Sequence, residues 1–189
     1  MKKSYNIFAF LLFIYSLLSC NHEKEIAEEI KTFYNSYITV PMDSMISLSA
    51  NGGVSTYHHS EYTYIMYIDS TMCSDCAVKH LSDWSILDVS NRPGSEKLKY
   101  LFIIAPKHNQ YKHIFELIKS DIHFSEFTFI DTMGVFERAN PNLPKNKLLH
   151  TFMINKEGKV RLIGNPITNS QIDSVLSKIL YMSTNDRET

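Results

Sequence analysis

Apolar positions in this chain follow two alternating rhythms. Tyr62 to Ile68 is a nearly continuous apolar run that reads as a buried strand, and Ala77, Leu81 and Trp84 then repeat at i, i+4, i+7, an apolar helical face. Leu98 to Ala105 is a second apolar run closed by Pro106, the pattern of a strand covered on both faces. Asn109 to Ile122 carries Tyr111, Ile114, Phe115 and Ile118 at helical spacing, and Phe127 to Ile130 is a short strand. After the loop Asn140-Pro141-Asn142-Leu143-Pro144, Thr151–Ile154 and Val160–Ile163 flank a turn in which Gly158 can supply the positive φ of a hairpin. Thr168 and Gln171 are spaced as a capping box. They open a final helix with Ile172, Val175, Leu176, Ile179 and Leu180 on one face. Upstream, Glu23 to Tyr37 reads as an amphipathic helix with Ile26, Ile30, Phe33, Tyr34 and Tyr37 on one side, ended by Pro41. Met42 to Ser60 is looser and contains the turn signal Asn51-Gly52-Gly53.

After the first helix the order is therefore β-α-β-α-β-β-α. Alternation of this kind predicts an α/β fold: a central mixed sheet with helices on both faces and a closing antiparallel hairpin. Ligands reach such sheets at the carboxyl ends of strands, and Cys73 and Cys76 fall there, where the first strand of the series gives way to its helix. A cysteine at a helix start meets the positive end of the macrodipole and unpaired backbone N–H groups, both of which favour thiolate. With a second sulfur one turn away, the pair can cycle between dithiol and disulfide. Asp75 opposes the thiolate and Lys79 favours it. The balance predicts a Cys73 less acidic than the thiols of strong oxidants, hence a reductant or isomerase component.

The N-terminus places this chemistry. Lys2 and Lys3 precede an apolar run, Ile7 to Leu18, too short to span a bilayer comfortably, and it ends in Leu17-Leu18-Ser19-Cys20. That ending resembles a bacterial lipoprotein signal box, which implies cleavage after residue 19 and a lipid on Cys20; a simple secretory signal is the alternative. The expected organisation is a signal peptide (1–19), an anchor-proximal helix and linker (20–54), one domain (55–182) and a short tail (183–189). Lipidation also resolves the cysteine count. Of three cysteines, Cys73 and Cys76 remain as a pair. A net charge of −1 without a long run of one sign gives nucleic acid no purchase.

Rival chemistries are weaker. An inert bridge between Cys73 and Cys76 would close a tiny loop and constrain the unfolded chain little. Zinc could use Cys73, Cys76 and His80 with His58 or His59, but no second cysteine pair is present. Covalent haem needs His directly after Cys76, where Ala77 stands, and a peroxidatic site fails at Met66. His108, His113 and His123 share no face. Tyr62, Tyr64 and Tyr67 could line a peptide groove, although core packing is the simpler role.

The element order, the Cys-x-x-Cys placement and the segment His150 to Gly158 (HTFMINKEG) together resemble membrane-anchored, periplasmic thioredoxin-like proteins over roughly Tyr62 to Met182. The resemblance implies a thioredoxin-like fold and a thiol–disulfide oxidoreductase. Cys73 would be the nucleophile and Cys76 the resolver; no bound cofactor or metal is implied. It also implies a protein disulfide as substrate, an upstream thiol protein as electron donor and a lipid-anchored location facing the periplasm or exterior. Leu149 and His150 then belong to the substrate groove, with His150 on a loop facing the cysteines. Two positions depart from the family: Met72 replaces the usual aromatic before the first cysteine, and Leu149 replaces a cis-proline. A non-proline cis bond costs about 2.5–4 kcal/mol, so a trans bond and an altered groove are expected at Leu149. The alternative function is a redox-inactive module of the same fold that holds a peptide or a metal ion.

Overall fold

Tyr62–Ile68 (β2) takes the centre of the sheet because both of its faces are apolar. Tyr64 and Ile68 point to one side, Ile65 and Tyr67 to the other, and all four are buried. The structure, a computed structural model, describes residues 23–48, 60–79, 81, 84, 93–120 and 128–185. Around β2 lie β1 (Ile46–Ser47), β3 (Leu98–Ile104), β4 (Thr128–Ile130), β5 (Thr151–Asn155) and β6 (Val160–Ile163), in the sheet order β1-β4-β3-β2-β5-β6. Strands β2, β3 and β4 are mutually parallel, with Tyr62 opposite Leu98 and Phe102 opposite Thr128. The flanking strands β1, β5 and β6 pair antiparallel.

Helices cover both faces. On the Tyr64 side the core takes Val78 from α2 (Ser74–Lys79), Ile114 and Ile118 from α3 (Tyr111–Ser120), and Leu176 and Leu180 from α5 (Ser170–Asn185), together with Leu81 and Trp84. On the Ile65 side Phe33 from α1 (residues 23–33) meets the Phe152 ring edge-on at 4.9 Å, and Phe136 from α4 (Val135–Ala139) joins them. The mixed sheet with helices on both faces is the architecture expected. Helix α1 and the Ile38–Met45 stretch are part of this core, packed on the sheet.

Several details differ from the sequence reading. Helix α1 ends at residue 33, because Asn35 takes a left-handed φ of 70° that Asn tolerates better than most residues, and Tyr37 instead bridges Lys159. Ile30 inside the helix and Tyr34 and Tyr37 beyond its end are exposed, so of the expected face Phe33 is the residue that is fully buried. The cap of α5 is Asn169, whose Oδ1 accepts from Gln171 N at 2.9 Å and Ile172 N at 3.2 Å, in place of the expected Thr168–Gln171 box. On that helix Val175 is exposed. The sequence pattern predicts neither strand β1 nor helix α4. Helix α4 is organised by the buried Asp131, whose Oδ1 accepts from Val135 N (2.9 Å) and whose Oδ2 accepts from Phe136 N (2.8 Å). Gly158 does occupy the hairpin turn at φ 81°. A Cβ there would stand 2.8 Å from the Ile38 carbonyl oxygen, so two constraints coincide on one glycine.

Candidate functional site

Where β2 leaves the sheet, the chain turns on Asp69. Its Oδ1 accepts from Thr71 N (2.7 Å) and Thr71 Oγ1 (2.6 Å), and its carbonyl accepts from Met72 N (3.1 Å). This turn delivers Cys73 to the first position before α2. Cys73 and Cys76 are joined in a disulfide with Cα atoms 5.3 Å apart, and both residues are exposed. Cys76 N donates to Cys73 Sγ at 3.3 Å. That hydrogen bond, with the start of the helix, stabilises negative charge on the Cys73 sulfur once the bridge opens. Met72, standing where the family resemblance expects an aromatic, packs partly buried against the core. Lys79 is exposed in the last turn of α2, while the side chain of Asp75 lies outside the described residues.

A second loop meets the same end of β2. Lys147–Leu149 forms a 3-10 turn, capped by Asn146 Oδ1 accepting from Leu148 N at 3.1 Å. The His150 carbonyl accepts from Tyr67 N at 2.9 Å, which sets this loop beside the strand end. Every peptide bond among the described residues is trans, Leu149 included, and Leu149 N donates to Asn146 O at 3.0 Å inside the turn. Leu149 and His150 are both buried, whereas Leu148 is 80% exposed. The solvent-facing residue of this loop is therefore one that sequence reasoning passed over.

Sequence reasoning also missed the polar cluster that joins the two loops. Asp69 is only 2% exposed; its Oδ2 forms an ion pair with Lys147 Nζ and lies 3.7 Å from His150 Nδ1. The available signal was a carboxylate ending an apolar strand immediately before the cysteine turn. Burial alone would raise the Asp69 pKa, but hydrogen bonds from Lys147 and Thr71 outweigh it and hold the carboxyl below its ordinary 3.8. His150 Nε2 lies 2.8 Å from Pro144 O. A carbonyl can only accept, so Nε2 carries the proton and Nδ1 is bare in the neutral ring. Burial is the main influence pushing His150 below its ordinary 6.5, against the hydrogen bond to Pro144 O. Burial likewise raises Tyr67, followed by nearby Glu137, so its phenol stays neutral.

These directions fix the acid response. Below pH 6.5 the unfolded chain protonates His150 while the native ring resists, so stability falls as pH drops toward the lower native value. Asp69 contributes stability above 3.8 that is lost as pH falls through its depressed native pKa. Urea midpoints measured against pH are expected to decline on this acid limb, more gently in Asp69→Asn and His150→Gln. A wild-type midpoint flat from pH 6.5 down to 3.8 would contradict the His150 assignment, and one flat below pH 3.8 would contradict the Asp69 assignment.

The remaining candidates fall out simply. Tyr64 and Tyr67 are core residues, with Tyr64 donating its hydroxyl proton to Gly164 O at 2.5 Å. Among the described residues no cluster of three or more His, Cys, Asp or Glu could hold a metal ion. His58, His59, His80 and His123 lie outside the described residues, as do Cys20 and residues 1–19. No described helix is long and apolar enough to cross a membrane.

A parallel β2-β3-β4 core with antiparallel β5-β6, helices on both faces and a Cys-x-x-Cys disulfide at the β2–α2 junction decides the architecture. The fold is thioredoxin-like. Solved structures similar to it include a thioredoxin-like protein from Bacteroides caccae (13% identity, TM-score 0.43, 87% of this chain and 55% of that one). This chain thus spans about half the length of that protein. Another is an exposed lipoprotein thioredoxin from Streptococcus pneumoniae (15% identity, TM-score 0.46, 71% of this chain and 98% of that one). A third is a hypothetical protein from Sinorhizobium meliloti (10% identity, TM-score 0.39, 70% of each). No protein-family model matches the sequence, and no curated protein matches it. A Cys-x-x-Cys pair on this fold fits thiol–disulfide exchange in general.

Proposed function

We propose that this chain is a thiol–disulfide oxidoreductase acting on protein substrates outside the cytoplasm, more reducing than oxidising. The observation that carries the reading is the exposed Cys73–Cys76 disulfide at a helix start, with Cys76 N donating to Cys73 Sγ. In the reduced protein the Cys73 thiolate attacks one sulfur of a substrate disulfide, and the other substrate sulfur leaves and takes up a proton. Cys76, losing its own proton, attacks Cys73 Sγ and releases the second substrate thiol. The substrate gains two electrons and two protons, and the protein ends as the Cys73–Cys76 disulfide. An upstream thiol protein returns the electrons. The turn carrying Leu148, Leu149 and His150 forms the groove wall opposite the cysteines, with Leu148 as its surface and the other two as support. A lipid on Cys20 holds the protein in the cell envelope, facing the periplasm or exterior.

Dithiothreitol-driven reduction of insulin tests the reading. Wild type is expected to accelerate precipitation and Cys73→Ser to match the uncatalysed rate. Equal rates for the two proteins would refute exchange through Cys73 and leave the redox-inactive binding module. Equilibration with glutathione buffers tests the direction: a midpoint near that of the strongest oxidants, about −120 mV, would overturn the reducing role.

A further inference from the structure

Buried Asp69 and His150, with the partly exposed Lys147, form a polar cluster that the exchange steps do not use. His150 is 2% exposed, and its Nδ1 has no hydrogen-bond partner among the described residues although Asp69 Oδ2 is 3.7 Å away. Apolar side chains could fill such space without the desolvation cost, so the arrangement calls for a use. Each Asp69 oxygen serves a different loop. Oδ1 holds Thr71 and so shapes the turn that presents Cys73; Oδ2 holds Lys147 and so the turn that presents Leu148. We propose that Asp69 is a positioning residue for Cys73: its carboxylate clamps the cysteine turn to the Lys147–Leu149 turn, and His150 Nδ1, when protonated, displaces Lys147 from their shared oxygen and loosens the clamp. The proposal rests on the exchange reading and adds its regulation.

Geometry leaves the proton one place to go. Nε2–H is committed to Pro144 O, so protonation occurs at Nδ1, where it creates a charge-assisted bond to Oδ2. A second cation at that oxygen repels the first. Lys147 has a side chain 38% exposed and can retreat to water, whereas His150 is enclosed and cannot. The charged groups around His150 are Asp69 at the end of β2, Lys147 on its own turn and Glu137 on α4; the Tyr67 ring lies 5.3 Å from its ring. Burial keeps the ring neutral near neutrality, which keeps the clamp closed there and opens it in acid. Drawn toward His150 as Lys147 leaves, the Asp69 carboxylate carries its Oδ1 and the attached Thr71 turn with it, which weakens the Cys76 N–H hydrogen bond that supports the Cys73 thiolate.

The test reads two things on the reduced, full-length protein: iodoacetamide alkylation at Cys73, followed by peptide mass spectrometry, and the His150 ring titration by NMR. Both are measured from roughly pH 5 to 8. In wild type the alkylation rate is expected to drop with His150 protonation beyond what the titration of Cys73 itself accounts for. His150→Gln keeps a donor for Pro144 O, gains no proton, and is expected to lose that extra drop. Lys147→Met is expected to raise the His150 midpoint and slow alkylation at neutral pH about fivefold or more, the size of coupling seen between groups in contact. Asp69→Asn is expected to lower the His150 midpoint. Alkylation unchanged in Lys147→Met with an unmoved His150 midpoint overturns the clamp, as does the same extra drop persisting in His150→Gln. Alkylation needs no substrate. A wild type that fails to reduce insulin yet shows the coupling therefore refutes the exchange reading alone.

Discussion

A Cys76→Ala protein is expected to stop half-way through exchange, with the substrate covalently held on Cys73. The two cysteines have Cα atoms 5.3 Å apart and already meet in a disulfide, so the second attack is intramolecular. Its replacement by an external thiol forfeits the effective molarity of an oriented neighbour, so turnover should fall by about a hundredfold or more. The adduct is visible as a band that runs at the summed mass without reductant and collapses with it. Cys73→Ser should form none. Wild-type turnover in Cys76→Ala would remove Cys76 from the resolving role, and adducts on Cys76 in Cys73→Ser would reverse the assignment. Because the trapped partner is the substrate itself, the same experiment identifies what the groove accepts.

The parts of this site that could be read from the sequence are those with a periodic or spaced signal. Strand β2 was legible to the residue, because an apolar run on both faces leaves few alternatives, and the cysteine pair announces itself by spacing. The short elements were not legible. Strand β1 has two residues and α4 has five, too few for any period to register. Strand β1 exists through a tertiary partner, Ile46 pairing with Ile130, while α4 starts on the carboxylate of Asp131 just upstream, whose burial is set by the fold and not by any repeat. The polar cluster was hidden for the same reason. Asp69 and Lys147 meet only because β5 returns antiparallel beside β2, bringing the turn before β5 to the strand end from which Asp69 projects. The family resemblance singles out His150 by placing its loop opposite the cysteines, but its burial is decided by the Pro144 and Tyr67 contacts that no periodic pattern encodes.

Asn140 is the other residue whose role appears only in three dimensions, and its removal is expected to cost more stability than any single change considered so far. It is 3% exposed; its Oδ1 accepts from Thr39 N at 2.8 Å, and its Nδ2 donates to Thr39 O at 2.8 Å and Phe136 O at 2.7 Å. One side chain thus closes the end of α4 and fixes the strand-like segment after α1, a contact across 101 residues of sequence. Asn140→Ala strands the buried Phe136 carbonyl and unpairs the N–H and carbonyl of Thr39, an exposed residue whose backbone water can reach. At about 1–3 kcal/mol for the buried unsatisfied carbonyl and less for the two bonds that water can replace, the loss should be about 2–4 kcal/mol. That is a large share of the roughly 5–15 kcal/mol a domain of this kind holds. Asn140→Asp should be no better despite its identical shape, since a carboxylate still accepts from Thr39 N but turns a charge toward two carbonyl oxygens. Urea unfolding with an unchanged m-value measures both. Losses below about 1 kcal/mol in the two variants would show that water or rearrangement replaces these bonds. Alkylation of Cys73 in folded Asn140→Ala should match wild type, because the Asn140 side chain bonds Thr39 and Phe136 and, among the described residues, neither the Asp69 cluster nor the cysteine turn.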